Sequence, residues 1–443
     1  MENLTKFKDA YGQEFSLTSE DFKLVQSDVS IHDAKLETKP TTFIKDAFKR
    51  FCKNKSSIVA AFIILFIVLL SIFVPIFNTH DIEETHPSET LIVPKLFKAG
   101  TGFWDGTKEF KGLDYGALAN YNEKAIISQY VYEKDGVKLV DFVYDDYYAH
   151  YGDTETTLAT VYIKRYINNG WCEFTDLNDV TTFKLLDDQC PVREVLSVEN
   201  GQYTVILSQY RYLGYDSMPS FLFGTNEQGR DIFKLAFAGL LKSLLFATVI
   251  SAICFCFGLV WGSVSGYFGG NVDLFMERIM DILGGVPTII IVTLCRLHLG
   301  EDLWVFGFAL CLTGWMGTAG RTRTQFYRFK GREYVLASRT LGASDTRLIF
   351  KHILPNALGT IVTSTVLMIP GIIFTEASLS YLGLGLQGSD SFGTILSENQ
   401  KFLKSFPMLI LFPSIIISLL MISFNLFGNG LRDALNPSLK GSE

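Results

Sequence analysis

Residues Arg321 to Pro355 read RTRTQFYRFKGREYVLASRTLGASDTRLIFKHILP and carry eight Lys/Arg against two Asp/Glu. Within them, Glu333 to Leu341 has the composition of a short helix. Gly342 permits the left-handed turn that ends such a helix, and Ser344 or Asp345 can cap a second one from Thr346 to Ile353. Pro355 suits the start of a following helix, where its missing N–H costs nothing. The pattern is a stiff basic segment of helix, glycine break and helix. An ordinary basic loop held near phospholipid headgroups is the plainer reading of the same residues.

The sequence on either side places the segment between membrane spans. The chain has 443 residues, 48% of them hydrophobic and only 19% charged, with a mean hydropathy of +0.24. That is more apolar material than one soluble core needs. A spanning helix requires about 20 mainly apolar residues to cross ~30 Å of hydrocarbon. Six stretches qualify: Ser56 to Phe77, Ser243 to Val272, Ile282 to Cys295, Leu303 to Gly320, Asn356 to Thr375 and Ser405 to Gly430. Before the first, Lys45, Lys49, Arg50, Lys53 and Lys55 oppose Phe43, Ile44, Ala47, Phe48, Phe51 and Cys52 at helical spacing, which predicts a helix lying on an anionic membrane surface. The leading residues lack the order of a cleavable signal peptide. Six crossings then put both termini and the basic segment in the cytoplasm, as the positive-inside rule requires.

The interval from His80 to Arg230 falls outside on this topology and holds 13 Lys/Arg against 24 Asp/Glu. It is too long for a connection and has the composition of a folded domain. Alternating residues flank Asp135-Gly136 and Asn200-Gly201, which predicts two hairpins with primed turns, and Thr160 to Ile167 reads as a further strand. The Tyr144, Asp145, Asp146, Tyr147, Tyr148, Tyr151 cluster has groups for sugar, peptide or cation binding, but no complete ligand pattern, so a strand edge and solvated surface is the favoured reading. The expected fold is thus an all-α polytopic membrane protein of about six helices with an inserted β-rich extracytoplasmic domain. Its divisions are a cytoplasmic tail (1–40), a surface helix (41–56), the first span (57–77), the outer domain (78–230), a five-helix core (231–430) containing the segment 321–355, and a cytoplasmic C-terminus (431–443).

Seven cysteines, at 52, 172, 190, 254, 256, 295 and 311, lack the paired spacing of a zinc or redox site. Only Cys172 and Cys190 fall in the outer region, where a disulfide would survive; two unpaired thiols are the alternative. Gly258, Gly262, Gly266 and Gly270 recur every four residues, a stripe on which another helix can pack closely. Arg296, His298 and Glu376 lie near outer span ends and are candidate gate residues, because ionic groups at membrane depth are often functional; residues facing water or headgroups are the equal alternative. There is no G-x-x-x-x-G-K-[ST] phosphate loop, H-E-x-x-H or G-x-S-x-G arrangement. The chain is therefore expected to be no enzyme, with no catalytic residue, no metal and no cofactor of its own.

Glu333 to Asp345, followed by Lys351-His352-Ile353-Leu354-Pro355-Asn356-Ala357, resembles the EAA loop of binding-protein-dependent ABC importer permeases. Phe223-Gly224-Thr225-Asn226-Glu227-Gln228-Gly229-Arg230-Asp231, Thr375 to Gly385 and Asn425 to Pro437 resemble other signatures of oligopeptide and dipeptide permeases, most closely the "C" membrane subunit. The glutamate that names the EAA motif is Leu336 here, its last alanine is Ser338, and the usual aspartate before Gly229-Arg230-Asp231 is Asn226. The resemblance implies a type I importer fold that pairs with a sister permease in a bacterial cell membrane. Two cytoplasmic ATPases, holding ATP and Mg, would drive it through the coupling loop, with Ala337, Ser338, Gly342, Ala343, Leu354 and Pro355 as the joint. It also implies a lipid-anchored extracellular binding protein and peptide cargo, with nickel or another small solute as the runner-up. A non-transporting receptor or an export component are rivals from other classes; neither has reason to carry an EAA-like loop together with a binding-protein partner.

Overall fold

The structure, a computed structural model, describes residues 5–8, 14–17, 43–102, 104–385 and 390–435. The chain divides into two compact units, Met1–Lys49 and Arg50–Glu443. In the first, β1 (Thr5–Lys8) pairs antiparallel with β2 (Glu14–Leu17). Helix α1, Phe43–Lys53, follows.

The second unit is a helical bundle with a β-rich insertion. Helix α2, Lys55–Phe77, starts at Asn54, whose side-chain oxygen accepts from the Ser57 amide. The insertion contains the sheet β3 (Thr107–Asp114), β5 (Val137–Asp145), β4 (Ile126–Lys134) in that spatial order. A second sheet is ordered β6 (Asp153–Ala159), β10 (Gln202–Ser208), β9 (Val192–Glu199), and a small ribbon pairs β7 (Cys172–Phe174) with β8 (Phe183–Leu185). Both expected hairpins are present. Asp135 and Gly136, and Asn200 and Gly201, have positive φ at their turns, the backbone a type I′ turn demands. Thr160 to Ile167 is not a strand but most of helix α4, Thr160–Asn168. A strand would put Val161 and Ile163 on one face; instead Val161 is 75% exposed while Ile163 and Tyr166 are buried at helical spacing in the core around Tyr203 and Val205.

The Tyr144 to Tyr151 cluster is not the solvated strand edge expected: Asp146, Tyr147 and Tyr151 are buried, and Tyr144 stands on the central strand of its sheet. Asp145 caps the short helix α3, Asp146–Tyr151, by accepting from the Tyr147 and Tyr148 amides. Tyr147 and Tyr151 are fully buried, and burial pushes the Tyr147 phenol far above its usual range. The Tyr147 hydroxyl donates to Val93 O at 3.0 Å and accepts from the Phe221 amide at 3.0 Å, while buried Asp146 takes the Val93 amide at 3.1 Å and the Lys108 ammonium at 2.7 Å. These groups hold the incoming and outgoing strands of the insertion together. Thr225 N donates to Ile92 O at 3.0 Å, Leu91 N to Asn226 O at 3.1 Å and His86 N to Gln228 O at 2.8 Å. Gly224 and Gly229 are required here: a Cβ would meet Ile92 O at 2.4 Å or His86 O at 2.0 Å, and both have φ above +70°.

Asp231 then ties the two spans on either side of the insertion. It caps α5, Ile232–Phe268, by accepting from Phe233 N, and its other oxygen takes Asn78 Nδ2 at 2.8 Å and His80 Nδ1 at 3.0 Å at the end of α2. Helix α6, Gly270–Gly284, and α7, Thr288–Leu299, follow, bent by 76° to each other. The expected third span from Ile282 to Cys295 is thus a broken one, because Gly284, Gly285 and Pro287 interrupt it. Helix α8 runs through Leu303–Phe329, the short α9 is Glu333–Thr340, and α10 is the long helix Asp345–Tyr381. Then come α11, Phe392–Asn399, and α12, Met408–Leu435. Among the described residues, five helices are long and apolar enough to cross a membrane, or six with the bent pair as one span. Only 28–39% of each apolar window is buried inside the chain, so most of every span needs lipid or another subunit.

The glycine stripe sets the closest helix contact. A Cβ on Gly258, Gly262 or Gly266 would meet the Trp315 carbonyl at 2.6 Å, the Ala319 carbonyl at 2.2 Å or Phe326 Cβ at 2.6 Å, all on α8. Gly270 does not belong to this contact: α5 ends at Phe268, Gly270 has φ +54° and nothing lies within 4 Å of it. Replacing Gly262 by Val should therefore lower the thermal midpoint of the purified protein by overpacking worth about 1–3 kcal/mol. Gly317→Ala, where a Cβ meets nothing, should leave it unchanged; equal effects would refute the close approach.

Candidate functional site

The basic segment is shorter than its sequence suggests. Arg321 to Phe329 continue α8, and Asp345 onward belongs to α10, so the exposed connection is α9 with its flanking turns. Gly342 has φ +84°. Its amide donates to Arg339 O at 3.0 Å and the Ala343 amide to Ser338 O at 3.1 Å, which is the Schellman arrangement that stops a helix. No break separates the second helix from the span behind it. Residues Leu348–Ile353 widen into a π-helical turn just before Pro355, which accommodates the missing proline N–H without a stop.

A buried cluster holds α9 against the ends of the spans. Tyr267 at the end of α5, Phe326 of α8, Val335 of α9, and Leu348, Ile349 and Ile353 of α10 form one buried cluster. Of the expected joint residues, Ala343 and Leu354 border that cluster. Ala337 and Pro355 are exposed, and Ser338 donates its hydroxyl to Tyr334 O at 2.8 Å within its own helix. Tyr334, Leu336, Leu341 and Phe350 are exposed, Leu341 by 88%. The position that names the EAA motif, Leu336, thus presents an apolar side chain outward.

Polar contacts lock this cluster to the bundle. The Tyr267 hydroxyl bonds the Asp345 carboxylate and receives Arg339 Nη2 at 3.2 Å. Asp273, near the start of α6, is clasped by Arg323 of α8 through Nε at 2.6 Å and Nη2 at 2.7 Å. Ser265 and Tyr327 also donate to Asp273, and Lys330 Nζ reaches Gly266 O at 3.0 Å. A two-toothed guanidinium–carboxylate pair is both strong and directional, so α6 is fixed to α8 at the level of the glycine stripe. The sequence carried no signal that would single out Asp273 from Glu277 and Asp281 on the same helix.

At the other end of the bundle, a cavity of about 720 Å³ lies between α5 and α8, with Phe246, Ile250, Trp304 and Phe308 as apolar wall and Lys242 and Glu376 at its polar end. Glu376 is only 1% exposed. Its carboxylate accepts from Ser243 Oγ at 3.1 Å, Ser380 Oγ at 3.1 Å and Ser391 Oγ at 2.7 Å, joining α5, α10 and the start of α11. Arg296 pairs with Glu301 on the rim at 3.0 Å. Of the three expected gate residues, Glu376 and, through Glu301, Arg296 meet this cavity; His298 is exposed and does not line it. Ser380 lies one helical turn from Glu376 and is legible at that spacing; Ser243 on α5 and Ser391 before α11 were not, because packing alone brings them there.

A helical membrane bundle with a rigid external helix seated on the ends of its spans is the membrane component of a transport system. The family described as "Binding-protein-dependent transport system inner membrane component" matches residues 258–441, and "N-terminal TM domain of oligopeptide transport permease C" matches residues 42–94. The chain is 41% identical over 254 residues to the oligopeptide transport system permease protein OppC of Bacillus subtilis, covering 56% of this chain and 83% of that protein. It is 40% identical over 220 residues to the dipeptide transport system permease protein DppC of the same organism, covering 49% of this chain and 69% of that protein. The inward-facing MetNI methionine ABC transporter aligns over 46% of this chain and 96% of its own, at TM-score 0.39 and 17% identity. The chain belongs to the binding-protein-dependent transport system inner membrane components, among the permeases of the oligopeptide and dipeptide "C" type. The two family matches leave the β-rich insertion between them.

Asp273→Asn should lower the thermal midpoint of the purified protein, by about 1.5–3 kcal/mol for a lost charged hydrogen bond. The exchange Asp273→Arg with Arg323→Asp should recover part of it in a double-mutant cycle. A cycle with no interaction energy would show that the pair does not join α6 to α8.

Proposed function

We propose that this chain, with a sister permease, forms the path by which peptides enter a bacterial cell, and that two ATPases drive it by docking on α9. The observation that carries this reading is the exposed apolar face of Tyr334, Leu336, Leu341 and Phe350 on a segment whose buried side is the shared core of α5, α8 and α10. A partner that grips this face moves three long helices together, because Val335, Leu348, Ile349 and Ile353 leave no slack between them. The docking contact is apolar here, in place of the carboxylate that names the motif. ATP and Mg belong to those partners.

The orientation follows from charge: the basic α9 segment faces the cytoplasm with both termini, and the acidic insertion faces outward. There it meets the lipid-anchored binding protein that delivers cargo. Peptide cargo is supported by the names of the oligopeptide and dipeptide permeases above. Cys172 and Cys190 share the buried core of the insertion, where hydrogen bonding to Cys190 and burial push the Cys172 thiol far above its usual range. Both are reduced in the structure; outside the cell they form a disulfide.

Gly342→Val should insert and assemble normally but abolish stimulation of ATP hydrolysis by loaded binding protein in the purified complex, since a β-branched residue strains φ +84°. Unaltered stimulation would defeat the coupling role. For the cysteines, thiol labelling of denatured, unreduced protein should find neither Cys172 nor Cys190; modification of both would disprove the bond.

A further inference from the structure

At the α9 end of the bundle, α8, α10 and α12 enclose a second cavity, of about 320 Å³. Arg321, Thr324 and Gln325 of α8, Thr360 and Ser364 of α10, and Arg432 of α12 border it, and no Asp or Glu does. Elsewhere in the bundle arginines are neutralised: Arg323 by Asp273, Arg230 by Asp390 and Arg296 by Glu301. Among the described residues, Arg321 and Arg432 have neither an ion pair nor a hydrogen bond to another side chain. Arg321 lies eight residues before Phe329, roughly 12 Å along the helix from its end. Arg432 lies three residues before the end of α12, and both arginines are exposed; two guanidinium groups that face one space without a counter-charge attract an anion into it.

The donors define the anion. Thr324 and Ser364 spend their hydroxyl protons on Gly320 O at 2.8 Å and Ile361 O at 2.7 Å. That leaves the two guanidinium forks, the Thr360 hydroxyl and the Gln325 amide, whose Oε1 is buried without a partner and which can turn either end to a ligand. Forks of N–H donors match the oxygens of a phosphate group. Ile361 and Leu367 complete the wall, an apolar side suited to the first carbons of an acyl chain. We propose that this cavity binds a phosphate group, supplied by the headgroup of an anionic phospholipid or by free phosphate. Basic pockets between spanning helices take lipid headgroups in this way. The site is independent of cargo and of the coupling role.

The test uses the intact purified transporter, delipidated and then titrated separately with dioleoylphosphatidylglycerol, dioleoylphosphatidylcholine and sodium phosphate, followed by thermal unfolding and native mass spectrometry. Phosphatidylglycerol should raise the midpoint and remain bound, and phosphatidylcholine should not. Arg321→Gln with Arg432→Gln should lower retention of phosphatidylglycerol on the order of tenfold or more. Arg321→Lys with Arg432→Lys, which keeps the charge and loses the forks, should fall between. Stabilisation by sodium phosphate equal to that by the lipid identifies free phosphate as the source. Equal stabilisation by phosphatidylcholine, no response of the wild type to either phosphate source, or undiminished retention in the glutamine variant overturns the proposal.

Discussion

The approach of α5 to α8 across Gly258, Gly262 and Gly266 is the contact on which the rest of the bundle depends. Missing side chains bring carbonyls of α8 within reach of the α5 backbone, and in lipid such packing has to supply what hydrophobic burial cannot. The register it sets places Tyr267 beside Phe326, and Gly266 O beside Lys330. The contacts beneath α9 are positioned from there. Asp273 finds Arg323 because α6 turns back at Gly269 and Gly270, whose positive φ reverses the chain.

The insertion shows how a bundle tolerates a large added domain. Its incoming strand at Leu91 and Ile92 and its outgoing strand at Thr225 and Asn226 run side by side, hydrogen-bonded to each other. The two ends therefore meet the membrane helices as a single narrow stalk. Asp231 then fixes the end of α2 to the start of α5 with one carboxylate. Asn226, where the family resemblance led to an expected aspartate, accepts from the Gln228 and Arg230 amides at 3.0 and 2.8 Å. A neutral amide oxygen serves the turn as a carboxylate would, so the departure leaves the local fold intact.

Two carboxylates of the bundle are satisfied by different chemistry. Beside α9, Asp273 is held by Arg323 in a paired and directional contact. At the larger cavity, Glu376 is satisfied by three hydroxyls and, among the described residues, has no cationic partner. A paired network resists shear between helices, whereas a carboxylate held by rotatable hydroxyls tolerates small movements of α10 and α11.

Local sequence determined much of this. Runs of apolar residues fixed the long helices, because no other backbone satisfies itself in lipid; Asp135-Gly136 and Asn200-Gly201 fixed two hairpins, and Gly342 fixed the stop of α9, because each needs a positive φ. Tertiary structure decided the rest. Thr160 to Ile167 became a helix because burial of Ile163 and Tyr166 overrode β-branched propensity, and the third span broke into two. The core under α9 is made by Tyr267, Val335 and Leu348 from three helices, and Glu376 found Ser243 on α5, 133 residues before it in the chain. Such partners lie far apart in the chain and are joined only by packing, for which a single sequence carries no periodic signal.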